Sequence, residues 1–151
     1  MLIKYITLEE TLPLRSQVLR TGKPLEQCLF PTDSILDAFH LGGFVADRLV
    51  VIATFFPDHH PDFVGKGFKL RGMATDPEFS GRGHGAELIK FAVKELRSAQ
   101  GSYIWCNARS SAVVFYQKLG FELISAEYEI PGVGPHFNMI KHLDQDISNQ
   151  I

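Results

Sequence analysis

The sequence predicts one mixed α/β domain, and three observations lead to this prediction. The chain has 151 residues, a usual length for one domain and too short for two of full size. Apolar residues make up 45% of it, enough for one hydrophobic core. Segments with strand alternation and segments with helical spacing follow one another as strand, helix, three strands, helix, strand, helix and two strands. That order predicts a single domain, residues 1–151, built on a mixed sheet.

The first part of the chain predicts a strand, a helix and a hairpin. LIKYI alternates like a short strand, and residues 8–20 have helical spacing interrupted by Pro13. Residues 21–39 contain two prolines and several turn formers, which predict a loop or a broken helix near the surface, often found on the substrate side of an enzyme. Two apolar segments separated by Asp47 and Arg48 predict an antiparallel hairpin with a central second strand, LVVIATFF.

The second part predicts two helices between strands. FKLRGMAT reads as a strand, and the apolar spacing in SGRGHGAELIKFAVKELRSAQG predicts an amphipathic helix that Gly101 ends. YIWCNA is the next strand, and AVVFYQKL is a helix capped by Ser110 or Ser111 and closed by Gly120. FELISAEYEI and HFNMIKHL predict the last two strands, and the polar tail from about 144 to 151 is expected to fray.

Charge and composition exclude several classes of function. Fifteen Lys and Arg against seventeen Asp and Glu give a net charge of -2, whereas nucleic-acid-binding domains are usually basic, so no nucleic-acid partner is expected. No apolar run approaches the roughly 20 residues of a membrane span, and no membrane partner is expected. Glu9 and Glu10 come too early for a signal peptide, and Cys28 and Cys106 predict two reduced thiols, so the protein is expected to be cytoplasmic.

The loop PDHHPDFVGKG contains four residues that could ligate a metal, but it predicts a solvated turn. His59 and His60 lie beside Asp58 and Asp62. Adjacent side chains on a flexible turn do not easily converge on one ion. We therefore expect no metal.

A glycine cluster lies between a predicted strand and the most regular predicted helix. Gly81, Gly83 and Gly85 leave backbone N–H groups accessible at the positive end of that helix, which suits an anion such as phosphate, although such glycines also serve tight packing. A P-loop would require Gly-Lys-Ser/Thr at the helix start, where Ala86 and Glu87 follow Gly85 instead. A dinucleotide-binding turn would follow the first strand of a parallel unit, and this one lies halfway along the chain.

Two segments resemble the motifs of the GNAT superfamily of N-acetyltransferases. LRGMATDPEFSGRGHGAELI is similar to the strand, glycine turn and helix that bind acetyl-CoA in that family, and NARSSAVVFYQKLGFE is similar to its second motif. EYEIPGVGPHFNM further resembles the ElaA-like branch. Ser80 stands where the family usually has Arg or Gln, so we expect weaker rather than absent cofactor binding.

The resemblance implies a fold and a cosubstrate. The fold is a mostly antiparallel central sheet with helices on both faces and central strands splayed at a bulge, for which Gly72 is suited. The cosubstrate is acetyl-CoA, with no metal. By resemblance, the acyl group and pantetheine are expected to contact the backbone of Met73, Ala74 and Thr75. The pyrophosphate is expected to be bound by Gly81, Arg82, Gly83, His84, Gly85 and Ala86. The resemblance implies that Asn107 either binds the cofactor or orders the end of its strand.

Acyl transfer to an amine requires a neutral nitrogen and a proton for the leaving thiolate. Tyr116 matches the motif tyrosine that faces the cofactor sulfur and is the candidate proton donor; the alternative is a core tyrosine beside Phe115. His136, after a Gly-Pro turn, is the candidate base, against a structural histidine or a substrate contact. His40 and Glu129 are weaker candidates for the base.

The predicted function is transfer of an acetyl group from acetyl-CoA to a primary amine, by direct attack in a ternary complex. The acceptor is a small-molecule amine or a protein amine, and a homodimer is compatible with the sequence. Arg15, Arg20 and Asp33 lie in segments that wall the acceptor side in this family, which makes them candidates to select a charged substrate; taken singly, each is better explained as ordinary surface charge. The alternative function is a CoA- or acyl-CoA-binding sensor without chemistry.

Overall fold

The computed structural model describes residues 1–143, so the expected fraying of residues 144–151 lies outside the described part of the chain. The chain forms two compact units. The first comprises Met1–Pro57 and Leu70–Lys94, and the second comprises Asp58–Lys69 and, of the described residues, 95–143.

Four strands form the sheet of the first unit. They are β1 (Leu2–Ile6), β2 (Phe39–Val45), β3 (Arg48–Pro57) and β4 (Gly67–Thr75), which starts in the second unit, and they lie side by side in this order. β2 is antiparallel to both β1 and β3. Ala46 and Asp47, both at positive φ, make the hairpin turn, so β3 starts one residue earlier than the sequence predicts. From Val50 to Phe56 every residue of β3 is buried, as expected of a central strand.

The segment between β1 and β2 is helical, as predicted, but changes its helical type. α1 (Leu8–Leu14) begins at a capping box between Thr7 and Glu10, and a π-helical segment, Arg15–Leu19, continues it after Pro13. Two 3-10 turns follow, Leu25–Cys28 and Pro31–Ser34, which confirms the predicted broken helix. α1 packs on the sheet through a core cluster of Ile6, Leu14, Ile52 and Ala74.

α2 (His84–Ser98) is the amphipathic helix that the sequence predicts. Its buried residues include the expected apolar set: Leu88, Ile89, Ala92, Val93 and Leu96. At its C-terminus Gln100, not Gly101, takes the left-handed conformation, with φ of 62°. The N–H of Gly101 donates to the carbonyl of Leu96 at 2.7 Å, and a Cβ on Gly101 would lie 2.9 Å from that oxygen. Glycine is required at position 101 because the Leu96 carbonyl oxygen approaches too closely for a side chain, and not because φ is positive.

The second unit contains β5 (Tyr103–Arg109), α3 (Val113–Lys118), β6 (Glu122–Leu123), β7 (Tyr128–Ile130) and β8 (Gly134–His142). β8 is antiparallel to β5, β6 and β7. The sequence predicts one strand at 121–130, but the register against β8 shifts by two residues between β6 and β7. The interruption has a local cause, because the Ser125 hydroxyl accepts the Asn138 N–H at 2.9 Å in place of a backbone partner.

The predicted serine cap of α3 is wrong. Residues Ser110–Ala112 form a 3-10 turn, no side chain caps α3, and the Ser110 hydroxyl donates instead to Glu127 at 2.8 Å. Gly120, with φ of 90°, does close the helix as predicted.

The fold class agrees with the prediction. Each of α1, α2 and α3 is preceded and followed by strands, and the pairings of β1 with β2, β2 with β3 and β8 with its three neighbours are all antiparallel. Cys28 and Cys106 are buried free thiols. Within residues 1–143 no helix is both long and apolar enough to cross a membrane.

Candidate functional site

The glycine loop of the first unit has an open backbone. Gly81 and Gly83 take φ of 75° and 82°, a region that side chains rarely adopt. A Cβ built on either glycine would meet no other atom within 4 Å. These two glycines are therefore required by backbone conformation and leave open space beside the chain, and tight packing does not explain them.

The start of α2 supplies donors beside that loop. The first helical hydrogen bond runs from the Glu87 N–H to the Gly83 carbonyl, at 3.0 Å. The N–H groups of His84, Gly85 and Ala86 therefore have no acceptor within the helix. The His84 Nδ1 atom is buried and has no hydrogen-bond partner within the described residues. Unpaired donors at a helix N-terminus and a buried imidazole nitrogen fit an anionic group such as a pyrophosphate.

An ion-pair network holds the segment that leads into the glycines. Asp76 accepts the Glu78 N–H at 3.0 Å and pairs with Arg48 at 2.8 Å, while Arg48 also pairs with Glu78 at 2.9 Å. The backbone hydrogen bond from Glu78, and then Arg48, keep the pKa of the Asp76 carboxyl below its usual value. Arg48 and Arg82 lie 5.0 and 5.2 Å from the centroid of the Phe79 ring. Sequence reasoning missed Asp76 and Arg48; an Asp-Pro pair ending a strand was the available signal for the first.

β4 is distorted at Gly72, the position suited to the bulge that the family resemblance implies. Gly72 has φ of 68°, and a Cβ there would lie 2.9 Å from Cε2 of Phe30. Beyond it Ala74 is buried in the core, whereas Met73 and Thr75 are only partly buried. Since successive strand residues face opposite sides, Met73 and Thr75 share the face away from Ala74.

Arg15 is not surface charge, and the expectation for it was wrong. Its side chain is completely buried, and its guanidinium binds both carboxylate oxygens of Asp33 at 2.8 and 2.9 Å. It also donates to the Cys28 carbonyl at 3.1 Å and to the Thr54 hydroxyl at 2.9 Å. Burial opposes ionisation of Asp33, but the bonds from Arg15 and from the Phe30 N–H outweigh it and lower the pKa of this carboxyl.

His40 joins the same network through Thr54. The Thr54 hydroxyl oxygen accepts from Arg15 and lies 2.7 Å from Nδ1 of His40. A buried hydroxyl needs an acceptor for its proton, and the neighbouring acceptor is Nδ1 of His40, so the Thr54 hydroxyl donates to it. The neutral imidazole of His40 therefore carries its proton on Nε2. Burial lowers the pKa of His40 despite the nearby charge of Asp33. A neutral imidazole protonated on Nε2 cannot accept a proton there, which counts against His40 as the base.

His136 has the opposite arrangement in the second unit. It is buried, and its Nδ1 lies 2.8 Å from the Gly134 carbonyl, to which it must donate. The remaining ring nitrogen, Nε2, then has a lone pair and can accept a proton. Its ring stacks against Tyr128 with centroids 6.1 Å apart.

Asn107 and His136 are brought to one face of the strand pair β5 and β8. Asn107 lies opposite Asn138, and His136 lies opposite Arg109 two positions along, so all four side chains project to the same side. Asn138 accepts a short hydrogen bond from the Tyr128 hydroxyl. Asn107 and Arg109 are exposed at the strand end. Sequence reasoning missed the Tyr128–Asn138 pair, because the pair depends on the register shift between β6 and β7.

Tyr116 is buried on α3. Its ring packs edge-on against Phe115 and Phe121, with centroids 5.1 and 5.2 Å away. Burial raises the pKa of its hydroxyl far above the ordinary value, so Tyr116 stays protonated. Cys106 is also buried, and burial raises the pKa of its thiol to about 12.

His60 is a packed residue rather than part of a solvated turn. It is buried, its N–H donates to the Tyr103 hydroxyl at 2.8 Å, and its Nδ1 accepts the Asp62 N–H at 3.1 Å. Its ring meets Trp105 edge-on at 4.8 Å. Within residues 1–143 no three His, Cys, Asp or Glu side chains are grouped so as to hold a metal ion.

Comparisons with known proteins identify the family. Residues 46–143 match the family model described as the acetyltransferase (GNAT) domain. A curated relative, the uncharacterized N-acetyltransferase YitI of Bacillus subtilis (strain 168), is 36% identical over 142 residues, which are 93% of this chain and 95% of YitI.

Solved structures show the same fold. An aminoglycoside 6'-N-acetyltransferase complexed with coenzyme A matches with a TM-score of 0.73 and 15% identity, over 97% of this chain and 99% of that one. Escherichia coli ElaA matches with a TM-score of 0.72 and 20% identity, over 93% and 99%. The ribosomal-protein-S18-alanine N-acetyltransferase of Escherichia coli matches with a TM-score of 0.72 and 15% identity, over 96% and 95%. The family model and the curated relative establish that the chain belongs to the GNAT superfamily and is an N-acetyltransferase.

Proposed function

We propose that this enzyme transfers the acetyl group of acetyl-CoA to a primary amine, by direct attack of the amine in a ternary complex. The observation that carries the proposal is the open glycine loop at the start of α2, where two glycines at positive φ leave room for an anion beside unpaired N–H donors. The pyrophosphate of acetyl-CoA has the charge and size for this place. Residues 81–86 are the groups proposed to hold it.

The distorted part of β4 is proposed to hold the acyl end of the cosubstrate. Past Gly72, where a positive φ distorts the strand, the backbone groups of Met73, Ala74 and Thr75 are proposed to form hydrogen bonds with the pantetheine amides and with the thioester carbonyl oxygen. Such bonds would polarise the carbonyl and stabilise the negative charge that develops on its oxygen. Ser80 offers only a short side chain at the head of the loop, so the backbone donors must supply most of the binding.

Proton transfer is assigned to two residues of the second unit. As the amine nitrogen attacks the thioester carbon and the C–S bond breaks, Nε2 of His136 accepts the amine proton, directly or through water. The Tyr116 hydroxyl donates to the leaving sulfur. Because burial raises the pKa of Tyr116 above that of a thiol, the hydroxyl stabilises the thiolate by a hydrogen bond rather than by complete proton transfer.

Direct attack is preferred to a covalent enzyme intermediate because the available thiols are unsuited to nucleophilic attack. Cys106 is buried and the pKa of its thiol is raised to about 12, so almost no thiolate exists at neutral pH. Cys28 is also completely buried.

The experiment is a panel of primary amines, both small molecules and peptides with a lysine or a free N-terminus, assayed with acetyl-CoA for release of CoA thiol. We expect at least one amine to give a turnover that rises with pH as the amine loses its proton. Acetyl-CoA binding without turnover on any amine would contradict the proposal and support a CoA-binding sensor.

A further inference from the structure

The ring of Phe30 is surrounded by three guanidinium groups in the first unit. The Cζ atom of Arg15 lies 3.9 Å from the ring centroid, that of Arg71 lies 4.0 Å away, and that of Arg20 lies 5.8 Å away. All three are within the range of cation–π contact. Asp33, two residues beyond the neighbouring Pro31, is the acidic side chain that faces them.

These charges do not balance. Asp33 uses both carboxylate oxygens on Arg15, and its Oδ2 also accepts the Phe30 N–H at 2.8 Å. Within residues 1–143 neither Arg20 nor Arg71 forms an ion pair. Burial and then the charge of Arg20 lower the pKa of the half-buried Arg71, and the opposing charge of Asp33 does not offset them. Two cationic groups there lack an anionic partner.

The arginine cluster, formed by Arg15, Arg20 and Arg71 around Phe30, adjoins the distorted position of β4 at Gly72. Arg71 directly precedes Gly72, and the proposed acyl contacts Met73 and Thr75 follow it. The Nε atom of Arg15 is completely buried, has no hydrogen-bond partner in the described part of the chain, and lies 3.4 Å from where a Cβ on Gly72 would be. An unsatisfied buried donor beside two unpaired guanidinium groups is a costly arrangement without a ligand.

We propose that Arg71 and Arg20 bind an anionic oxygen group carried by the acceptor amine. The acceptor is then an amine that also bears a carboxylate or a phosphate, as in an amino acid or a phosphorylated amine. Guanidinium groups suit this function because they remain charged and present paired donors to planar or tetrahedral oxygen groups. Arg15 and Phe30 position the two arginines. The inference rests on the proposed function, since it specifies the acceptor of that reaction.

The experiment compares charged amines with neutral counterparts, in the wild type and in Arg71→Gln and Arg20→Gln. β-Alanine is paired with β-alaninamide, and O-phosphoethanolamine with ethanolamine. We expect each variant to raise the KM for a charged amine by about tenfold or more, the loss expected for a charge-assisted hydrogen bond, while the KM of its neutral counterpart stays unchanged. Comparing variant-to-wild-type ratios within each pair cancels the different basicity of the two amines.

Two controls show whether an effect on KM belongs to the arginine cluster and to the acceptor amine. Arg97→Gln changes an exposed arginine in the last turn of α2 and is expected to leave all KM values unchanged. The KM of acetyl-CoA, measured in the same variants, is the second control. If Arg71→Gln raises the KM of acetyl-CoA and leaves that of the charged amines unchanged, the cluster binds a phosphate of the cosubstrate and the inference is wrong.

Failure of the inference can be told from failure of the proposed function. If no amine is acetylated, the proposed function fails, and calorimetry with β-alanine and O-phosphoethanolamine still tests the cluster. Binding of either ligand that weakens in Arg71→Gln supports the inference, and its absence in the wild type overturns it. Turnover with equal preference for charged and neutral amines would sustain the proposed function and overturn the inference.

Discussion

Arg15 illustrates how a single residue can be misread from sequence. Its position in a helix with other polar residues is typical of surface charge, yet its side chain is fully buried. A buried charge requires a partner and hydrogen bonds to offset desolvation. Asp33 supplies the partner from 18 positions along the chain, and Thr54 accepts from 39 positions away. Local sequence patterns carry no information about such distant partners.

Replacing the partner of a buried charge should strongly reduce stability. Asp33→Asn leaves the Arg15 guanidinium buried without a counter-charge, and we expect the free energy of unfolding to fall by about 3–5 kcal/mol. Urea denaturation followed by circular dichroism measures the change. Glu26→Gln, in the neighbouring 3-10 turn, removes an exposed carboxylate and serves as the control. Equal stability of the two variants would show that the ion pair contributes nothing.

The same substitution should alter the pH dependence of stability. The pKa of Asp33 in the folded protein lies below its ordinary value of 3.8, so its stabilising contribution is present above that value and is lost as pH falls through the folded pKa. The wild type should therefore lose more stability than Asp33→Asn when both are acidified from pH 5 to pH 3 in the denaturation assay. Parallel curves would contradict the lowered pKa.

The hydroxyl of Tyr116 is expected to act on the rate and not on binding. Tyr116→Phe retains the ring packed against Phe115 and Phe121 but removes the hydrogen bond to the leaving sulfur, so kcat should fall by about 10- to 100-fold. The Kd of acetyl-CoA should change little. Tyr103→Phe removes another buried hydroxyl, one that accepts from the His60 N–H, and should reduce stability without this loss of rate. A wild-type kcat in Tyr116→Phe, where chemistry limits, would exclude Tyr116 from the mechanism.

At the level of elements, sequence periodicity predicts α2 and the central strands well because each carries its signal within a few residues. It fails where a side chain replaces a backbone partner. Ser125 interrupts the strand predicted at 121–130, and Ser110 binds Glu127 instead of capping α3. Pro13 signals a break, yet the chain continues into a π-helical segment that ends at Leu19. These outcomes depend on partners from other elements.

The glycine loop offers a test of one element. Gly83→Ala places a methyl group in open space at positive φ, where the pyrophosphate is proposed to bind, and we expect the KM of acetyl-CoA to rise at least about tenfold. Gly132→Ala is the matched control, since Gly132 has a similar φ of 77° and equally open surroundings, but lies in the turn before β8. Both should lose comparable stability from backbone strain. A KM unchanged in Gly83→Ala would remove the loop from the proposed site.

At the scale of the whole molecule, the two parts of the candidate site differ in how far sequence reveals them. The glycine loop and the second motif are each one continuous segment of the chain, so their residues and spacing can be recognised in the sequence. The arginine cluster is assembled from the π-helical extension of α1, the start of the 3-10 turn Pro31–Ser34 and β4, and its excess positive charge is not apparent in a chain whose net charge is -2. Because the protein as a whole is mildly acidic, its net charge does not attract anions in general. A local excess of arginines in such a protein favours the binding of a specific anionic ligand.

Ligand-induced stabilisation tests the cosubstrate on the intact protein. A ligand that binds only the folded state at 100 times its Kd adds about 2.7 kcal/mol to the free energy of unfolding, which for a chain of this length raises the Tm by about 5–10 °C. Acetyl-CoA and CoA should both produce this shift, because they share the pyrophosphate and pantetheine that the loop and β4 are proposed to bind. NADH and ATP lack pantetheine and should leave the melting curve close to that of the free protein. A shift with ATP but none with saturating acetyl-CoA would contradict acetyl-CoA as the cosubstrate, because the protein would then bind a nucleotide triphosphate and reject the pantetheine-bearing ligand.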